Sequence, residues 1–203
     1  YSIGYGMTEC APLICFDNYK TMKKGSCGRV LPNMEIRVDS EDPHKVPGEI
    51  LARGTNTMLG YYKNPEETQE AMGEDGWLHT GDLGVIDEEG YLFIRGRKKT
   101  MLLGANGQNV YPEEIEDQIL TLTNFEECVV VQRGEKLVAL VYISEKTMQD
   151  KNITREHLER HLDNYRKRIN EKLPKFAAIS AIEIQDEEFE KTPKRSIRRY
   201  LYK

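Results

Sequence analysis

The sequence predicts an α+β fold in two parts: a β-rich first part followed by a small α+β domain. In the first half, short runs that alternate apolar and polar residues are separated by Gly, Pro, Asn and Asp. The second half mixes helix-like and strand-like patterns. Because the composition changes near Arg97, we expect the first part to span 1–97 and the second part to span 98–203.

The individual elements follow from local patterns. Strands are predicted in the first half at 34–39, 48–53, 83–87 and 91–95, with a hairpin turn at 87–90. Asn64 suits the cap of an intervening helix, and Pro65 suits its first turn. In the second half, helices are predicted at 112–122 and 154–173, and strands at 128–133, 136–143 and 178–184.

Charge and composition exclude several classes of protein. Residues 1–97 hold 10 Lys and Arg against 16 Asp and Glu, whereas 98–203 hold 19 against 18. A nucleic-acid-binding protein normally has a clear basic excess, so we expect no such partner, although 191–203 carries six basic residues and no acid. The sequence has neither a run of about 20 apolar residues nor a signal peptide.

The cysteines bear on the cellular location of the protein, and the first residue bears on whether the chain is a fragment. None of the four cysteines forms a Cys-x-x-Cys pair, so we expect reduced thiols and a cytoplasmic protein. The chain opens at Tyr1, without Met and within what reads as a structured motif, so we expect a fragment.

The hexapeptide at 4–9, GYGMTE, is the first candidate site. It begins as Gly-x-Gly but ends in Glu9, so it is not a dinucleotide fingerprint. As a small-residue turn it would present Tyr5 for base stacking, Thr8 for phosphate and Glu9 for Mg²⁺, which prefers carboxylate and phosphate oxygens. A plain turn is the alternative.

Two further segments carry candidate polar groups. Asp82, at the start of a predicted strand, would accept two bonds from a ribose diol, or it would satisfy its own backbone in a turn. Arg97 would bind the same sugar or pair with a surface acid. We expect His79 to be structural. His157 and His161 lack the zincin pattern, so a solvated helix face is favoured.

Five blocks, in order, resemble the adenylate-forming superfamily of acyl-CoA synthetases, peptide-synthetase adenylation domains and luciferases. They lie at 5–9, 48–68, 77–82, 96–116 and 191–199. The last two look most like bacterial long-chain-fatty-acid–CoA ligases. The resemblance implies two steps: a carboxylate attacks the α-phosphate of Mg-ATP to give an acyl-adenylate, and coenzyme A then displaces AMP. The implied partners are a fatty acid, CoA and an N-terminal part of the same protein that holds the triphosphate loop.

The resemblance implies that 1–97 is a β-rich, barrel-like subdomain at the end of a larger AMP-binding domain, and that 98–203 is a small mobile C-terminal α+β domain. It also implies roles for particular residues. Tyr5 and Gly6 would lie at the adenine, Thr8 would contact the α-phosphate, and Glu9 would hold Mg²⁺. Asp82 and Arg97 would bind the ribose hydroxyls, Lys99 would be the hinge of a rotating C-terminal domain, and the loop around Gly107 would line the pantetheine tunnel.

The closing motif departs from the family pattern, which ends in Gly-Lys. In this chain Arg195 stands at the glycine position and Ser196 at that of the lysine, which contacts the substrate carboxylate and phosphate. Three explanations remain open: Lys194 or Arg195 reaches in from a shifted loop, Ser196 cripples adenylation, or the protein works mainly in the thioester step. Of the neighbours we favour Lys194, because a compact point charge is needed.

Two rival functions also follow from the sequence. One is a catalytically impaired homologue that binds nucleotide or acyl groups, and the other is an adenylation domain that serves a carrier protein. Acyl-chain length, oligomeric state and peripheral contact with a membrane are left open. We expect the fragment alone not to adenylate.

Overall fold

A computed structural model describes residues 3–104, 106–193 and 195–202. The chain divides into two compact units, Tyr1–Lys99 and Thr100–Lys203. Each combines sheet and helix, so the predicted α+β class is confirmed. No helix in these three ranges is long and apolar enough to cross a bilayer.

The first unit contains two antiparallel sheets. Strands β1 (Gly4–Gly6), β2 (Leu13–Phe16) and β3 (Arg29–Val30) form one of them. Strands β4 (Met34–Asp39), β5 (Gly48–Gly54), β6 (Leu78–Ile86) and β7 (Leu92–Arg97) form the other, in sequential order. Among the described residues these sheets do not close into a barrel. Their shared core includes Ile14, Ile50, Leu78 and Leu92.

Two predictions for this unit are wrong in detail. The expected turn at 4–9 begins instead as strand β1, which pairs with β2. Gly6 permits this pairing, because a Cβ there would lie 2.0 Å from the carbonyl oxygen of Pro12. Strand β6 begins at Leu78 rather than at 83, so Asp82 lies inside the strand and not at its start. The polar Thr80 and Asp82 obscure the strand pattern in the sequence.

The predicted helix after Asn64 is confirmed as α1 (Pro65–Ala71). The Asn64 side chain caps it by accepting the main-chain N–H of Glu67 at 3.2 Å. An acceptor at this position satisfies one of the unpaired amides of the first turn. Pro65 occupies the first turn, where its missing N–H costs nothing.

The second unit packs two helices on one face of a three-stranded sheet. After the short pair β8 (Leu102–Leu103) and β9 (Asn109–Val110) come α2 (Pro112–Leu122), β10 (Glu127–Arg133), β11 (Lys136–Tyr142), α3 (Glu145–Asp150), α4 (Arg155–Asn170) and β12 (Ile179–Ile184). Strand β11 pairs antiparallel with β10 and parallel with β12. Helix α4 ends three residues earlier than predicted, and α3 was not predicted.

Alternating residues of β10 and β11 face two hydrophobic clusters. Val130 and Ala139 belong to the cluster that includes residues of α2 and α4, whereas Val129 and Val138 belong to another that includes Phe189. Ile197 and Tyr202 pack against this second cluster. Phe189, Ile197 and Tyr202 therefore hold part of the C-terminal segment on the sheet face opposite the helices.

Candidate active site

Asp82 contacts two other residues that the sequence singled out. The Tyr5 hydroxyl donates to Asp82 Oδ2 at 2.8 Å. Arg97 Nε lies 2.8 Å from Asp82 Oδ1 on the other side of the carboxylate. The first of these contacts spans 77 residues of sequence. Tyr5, Asp82 and Arg97 therefore form one cluster in the first unit.

The neighbouring strands fix the position of Asp82. Asp82 of β6 is the register partner of Arg97 in β7, which places the two side chains side by side. The Asp82 main-chain N–H donates to Thr80 Oγ1 at 3.1 Å, and that hydroxyl donates to the carbonyl oxygen of Ile50 at 2.7 Å. Asp82 is 7% exposed, so these contacts hold a buried carboxylate in one orientation.

Tyr5 remains a hydrogen-bond donor over the physiological pH range. Burial, and then the negative charge of Asp82, raise the pKa of the Tyr5 phenol far above its ordinary value. Its ring packs against the core cluster of the first unit, while its hydroxyl reaches Asp82. The residue therefore combines a fixed apolar ring with a polar end.

Glu9 and Thr8 follow Tyr5 in a 3₁₀ turn, Thr8–Cys10. Thr8 is exposed, and Glu9 is half-buried. The Tyr61 hydroxyl donates to Glu9 Oε1 at 2.9 Å, and no hydrogen bond to Oε2 is found among the described residues. Burial, and then Glu9, raise the pKa of the Tyr61 phenol. Sequence reasoning missed Tyr61, which stands in the quoted block at 48–68.

The Glu9 carboxylate could serve as one protein ligand of a Mg²⁺ ion whose other ligands come from water and a bound nucleotide. Within the described ranges no group of three or more His, Cys, Asp or Glu side chains is arranged to hold a metal. Mg²⁺ usually takes only one or two protein carboxylates and completes its shell with water and substrate phosphates. A single accessible carboxylate is therefore enough for this ion where bound phosphates supply the other oxygen ligands.

Glu49 is a second buried carboxylate that the sequence did not indicate as a site. Its Oε2 lies 2.8 Å from Lys98 Nζ and 3.2 Å from His79 Nδ1, and its Oε1 accepts the Gly81 N–H at 3.2 Å. Burial raises the pKa of the Glu49 carboxyl, but Lys98 and His79 outweigh burial and the pKa lies below its ordinary value. Lys99, the predicted hinge, is the exposed last residue of this unit.

The remaining predicted residues lie in the second unit. Gly107 has φ +78°, and nothing lies within 4 Å of the position that a Cβ would take. Glycine is therefore favoured there by backbone conformation and not by crowding. Ser196 is exposed, and its main-chain N–H donates to Thr192 Oγ1 at 3.3 Å. Lys194 lies outside the described residues.

A partly buried ion pair holds the C-terminal segment in this unit. Arg199 Nη1 donates to Glu116 Oε1 at 2.7 Å, and Nη2 contacts Oε2 of the same carboxylate. Glu116 Oε1 also accepts the N–H of Val130 at 2.6 Å. Burial raises the pKa of the Glu116 carboxyl, although Arg199 opposes the shift. Arg199 was quoted only as part of the closing motif, so this role was missed.

The histidines of α4 form no metal group with other described side chains. The rings of His157 and His161 stack with centroids 4.2 Å apart, and His161 Nδ1 lies 2.7 Å from the carbonyl oxygen of His157. His157 is exposed and His161 is half-buried. The expectation of a solvated face is met by His157 and only partly by His161.

Two family models match the chain. Residues 2–62 match the model described as AMP-binding enzyme, and residues 99–202 match the model of the AMP-binding enzyme C-terminal domain. The second match alone covers half of the chain.

Relatives and solved structures agree with these matches. The chain is 44% identical over 133 residues to a long-chain-fatty-acid–CoA ligase of Escherichia coli O157:H7, covering 63% of the chain and 23% of that protein. It is 38% identical over 200 residues to a ligase of the same name from Salmonella typhimurium, covering 91% of the chain and 35% of the relative. The chain thus spans about a third or less of these relatives.

A solved structure of O-succinylbenzoate coenzyme A synthetase from Bacillus subtilis, in complex with ATP and magnesium ion, is similar with a TM-score of 0.77 at 25% identity. That alignment covers 98% of this chain and 40% of the synthetase. The fold, the two family models and the relatives lead to one conclusion: this chain belongs to the AMP-binding, adenylate-forming enzyme family.

Proposed function

We propose that this chain is part of an ATP-dependent, AMP-forming fatty acyl-CoA ligase. The observation that carries the proposal is the simultaneous contact of Asp82 with Tyr5 and Arg97. The Tyr5 ring would stack on the flat base of an adenosine. The Asp82 carboxylate and the Arg97 guanidinium would hydrogen-bond its two ribose hydroxyls.

Each residue has a role in this proposal. Asp82 accepts the ribose hydroxyls, Arg97 contacts the same sugar, and the Tyr5 ring lies against adenine with Gly6 beside it. Thr8, which is exposed, contacts the α-phosphate. Glu9 holds Mg²⁺, which when bound offsets negative charge on the phosphates.

The second unit completes the proposal. It is the mobile C-terminal domain of the ligase, with Lys99 as its hinge and the loop around Gly107 lining the path of the pantetheine arm. Lys194 or Ser196, in the closing motif, lies at the reacting carboxylate and phosphate. Rotation about a hinge would let one active site serve two steps with different electrostatic needs.

The proposed substrates are a fatty acid, ATP and coenzyme A. The names of the Escherichia coli and Salmonella typhimurium relatives support a long-chain acid. The triphosphate loop of the family is not in this sequence, so we expect the 203-residue chain alone not to form acyl-adenylate. A cytoplasmic location belongs to the proposal, because the described cysteines are all free thiols.

Turnover by the full-length protein tests the proposal. Purified protein is incubated with Mg-ATP, CoA and fatty acids of short, medium and long chain, and AMP and acyl-CoA are measured by mass spectrometry. We expect equal amounts of AMP and acyl-CoA, with loss of both in Asp82→Ala. Asp75→Ala is the matched control, since Asp75 is an exposed carboxylate of the same unit whose ion pair with Arg37 spans 3.8 Å. Absence of both products from the unaltered protein would overturn the proposal.

A second candidate function is a nucleotide-binding homologue with impaired catalysis. Ser196 favours it, because a serine provides no positive charge where the family has lysine. This candidate predicts that the full-length protein binds ATP with ordinary affinity but forms no AMP with any acid. Binding and turnover measured on the same preparation separate the two functions.

A further inference from the structure

Tyr61 contacts the carboxylate to which the proposed function assigns magnesium. Its hydroxyl donates to Glu9 Oε1 at 2.9 Å, across 52 residues of sequence. We propose that Tyr61 is a positioning residue that fixes the Glu9 carboxylate for the metal, an inference that rests on the proposed function. With Oε1 held by the phenol, Oε2 becomes the oxygen presented to the ion.

The loop that carries Tyr61 also holds the backbone of Glu9. The N–H of Met58 donates to the carbonyl oxygen of Glu9 at 2.7 Å. Two residues earlier, the Asn56 amide donates to the carbonyl oxygen of Leu13 at 3.1 Å and also to that of Cys10. Glu9 is therefore bound at its main chain and at its side chain by one short segment, 56–61. That arrangement fixes the direction of the carboxylate and not only its location.

Helix α1 in turn fixes this segment. The Tyr61 N–H donates to Thr68 Oγ1 at 2.8 Å, and Thr68 lies in α1. Gly60 allows this close approach: its φ is +148°, and a Cβ there would lie 2.7 Å from Thr68 Cγ2. A larger residue at 60 would push the loop away from the helix. The main chain of Tyr61 is thus anchored to α1, and outer-shell contacts of this kind orient the groups that bind a metal.

The neighbouring tyrosine offers a matched control. Tyr62 is 88% exposed, and the contact found for its ring is with the ammonium of Lys63, 5.3 Å from the ring centroid. Tyr61→Phe and Tyr62→Phe each remove a single oxygen from adjacent residues of one loop. Only the first change removes a donor to Glu9.

Metal affinity in the full-length protein tests the inference. Mn²⁺ replaces Mg²⁺ as a paramagnetic probe, and its dissociation constant is measured by electron paramagnetic resonance with a non-hydrolysable ATP analogue bound. We expect Tyr61→Phe to weaken Mn²⁺ binding roughly 10-fold, the usual effect of removing a group that orients a ligand. Tyr62→Phe should leave it unchanged. Nucleotide affinity measured in EDTA should be the same in all three proteins.

A double-mutant cycle distinguishes positioning from a general structural effect. In the Glu9→Gln background, Tyr61→Phe should cause no further loss, because the carboxylate that it orients is gone. Unchanged Mn²⁺ affinity in Tyr61→Phe, or an equal loss with and without Glu9, would overturn the inference and leave the proposed function standing. Unchanged Mn²⁺ affinity in Glu9→Gln would instead overturn the proposed metal role and the inference with it.

A second variant tests the inference if the Tyr61→Phe protein does not fold. Thr68→Val removes the tether of the Tyr61 main chain and keeps the phenol, and we expect it to weaken Mn²⁺ binding in the same direction. Thermal unfolding of each variant verifies that the protein is folded. Full Mn²⁺ affinity in a folded Thr68→Val protein would contradict the support assigned to α1.

Discussion

Lys98 Nζ lies 2.8 Å from Oε2 of Glu49, a carboxylate whose side chain is only 9% exposed. The main-chain N–H of Lys98 also donates to the carbonyl oxygen of Gly81 at 2.8 Å. Both the backbone and the side chain of Lys98 are therefore tied to the β5–β6 sheet, one residue before the predicted hinge Lys99. A rotation of the kind proposed would leave Lys98 in place and change the backbone angles from Lys99 onward.

The Glu49 cluster predicts a specific dependence of stability on pH. Because the pKa of Glu49 lies below its ordinary value, its charge stabilises the fold above the pKa of the unfolded chain. That contribution is lost as the pH falls through the pKa of the folded state. We expect Glu49→Gln to lower the free energy of unfolding by about 1.5 to 3 kcal/mol at pH 7, the usual worth of hydrogen bonds to a charged group. The deficit should shrink in acid.

Fluorescence of Trp77 during urea unfolding provides the measurement, because this single tryptophan of the chain lies in the first unit. Glu35→Gln is the control. Glu35 pairs with Arg53 on the surface, where such a pair contributes less than about 1 kcal/mol. A deficit in Glu49→Gln that is equal at pH 7 and in acid would contradict the assignment of the effect to charge.

Asp82 predicts discrimination between sugars. If its carboxylate accepts the ribose hydroxyls, the full-length protein should bind ATP more tightly than a deoxyribose analogue of ATP, by roughly 10-fold for each hydrogen bond lost. Asp82→Ala should weaken ATP binding and abolish that preference. Calorimetric titration with ATP, 2′-deoxy-ATP and 3′-deoxy-ATP measures both effects. A variant that binds all three ligands less well but keeps the preference would show that Asp82 acts only through the fold.

The sequence predicted the helices and strands whose formation depends on residues close together in the chain. Strand β4 and helix α2 have the predicted bounds, because each combines a clear periodicity with a turn or proline signal at its end. Strand β1 was missed, since two of its three residues are glycines and its formation depends on β2. A three-residue segment is too short to show the alternating pattern that would predict a strand paired with a distant partner.

The same holds for the candidate site: the sequence indicated single residues but not the contacts between residues that are far apart in the chain. Tyr5, Asp82 and Arg97 were candidates from the chemistry of their local segments, and the resemblance to a known family gave them specific roles. No spacing in the sequence indicated that they touch. Glu49 was missed although it stands in an apolar run, where a charged residue needs a partner. That partner, Lys98, follows 49 residues later, and only the sheet brings the two together.

The Glu116–Arg199 pair predicts a large effect on the second unit. Arg199→Ala leaves a carboxylate that is 6% exposed without its guanidinium, so we expect a loss of about 3 to 5 kcal/mol in the free energy of unfolding at pH 7. With Arg199 gone, burial raises the pKa of Glu116 further. A raised carboxyl pKa favours the folded state at low pH, so the deficit should diminish in acid.

Differential scanning calorimetry of the chain at pH 7 and pH 4.5 measures this prediction. Arg198→Ala is the control, because the contact of that guanidinium with the Tyr200 hydroxyl is long, at 3.4 Å. Adding Glu116→Gln to Arg199→Ala should recover part of the loss, since a neutral amide is cheaper to bury than a lone charge. A loss below about 1 kcal/mol would place the pair among ordinary surface ion pairs.

The backbone of the closing motif supports the alignment of Ser196 with the family lysine. Thr192 and Ser196 close a tight turn, in which the Thr192 N–H donates to the carbonyl oxygen of Ser196 at 2.8 Å. Arg195 in this turn has φ +62°, the left-handed conformation that favours glycine. The family has glycine at the position that the alignment gives to Arg195. The conformation of this turn therefore supports placing Ser196 at the position of the family lysine.

Restoring the lysine should raise the rate of adenylation. Ser196 is exposed, so Ser196→Lys adds a side chain without crowding, and we expect pyrophosphate exchange by the full-length protein to rise about 10²- to 10³-fold, the usual worth of one preorganised charge or donor. Ser196→Met provides the same length without charge and should give no gain. Lys194→Ala separates the explanations: if it abolishes exchange while Ser196→Lys adds nothing, Lys194 already provides the charge. If Ser196→Lys raises exchange and Lys194→Ala leaves it unchanged, the serine is what limits adenylation.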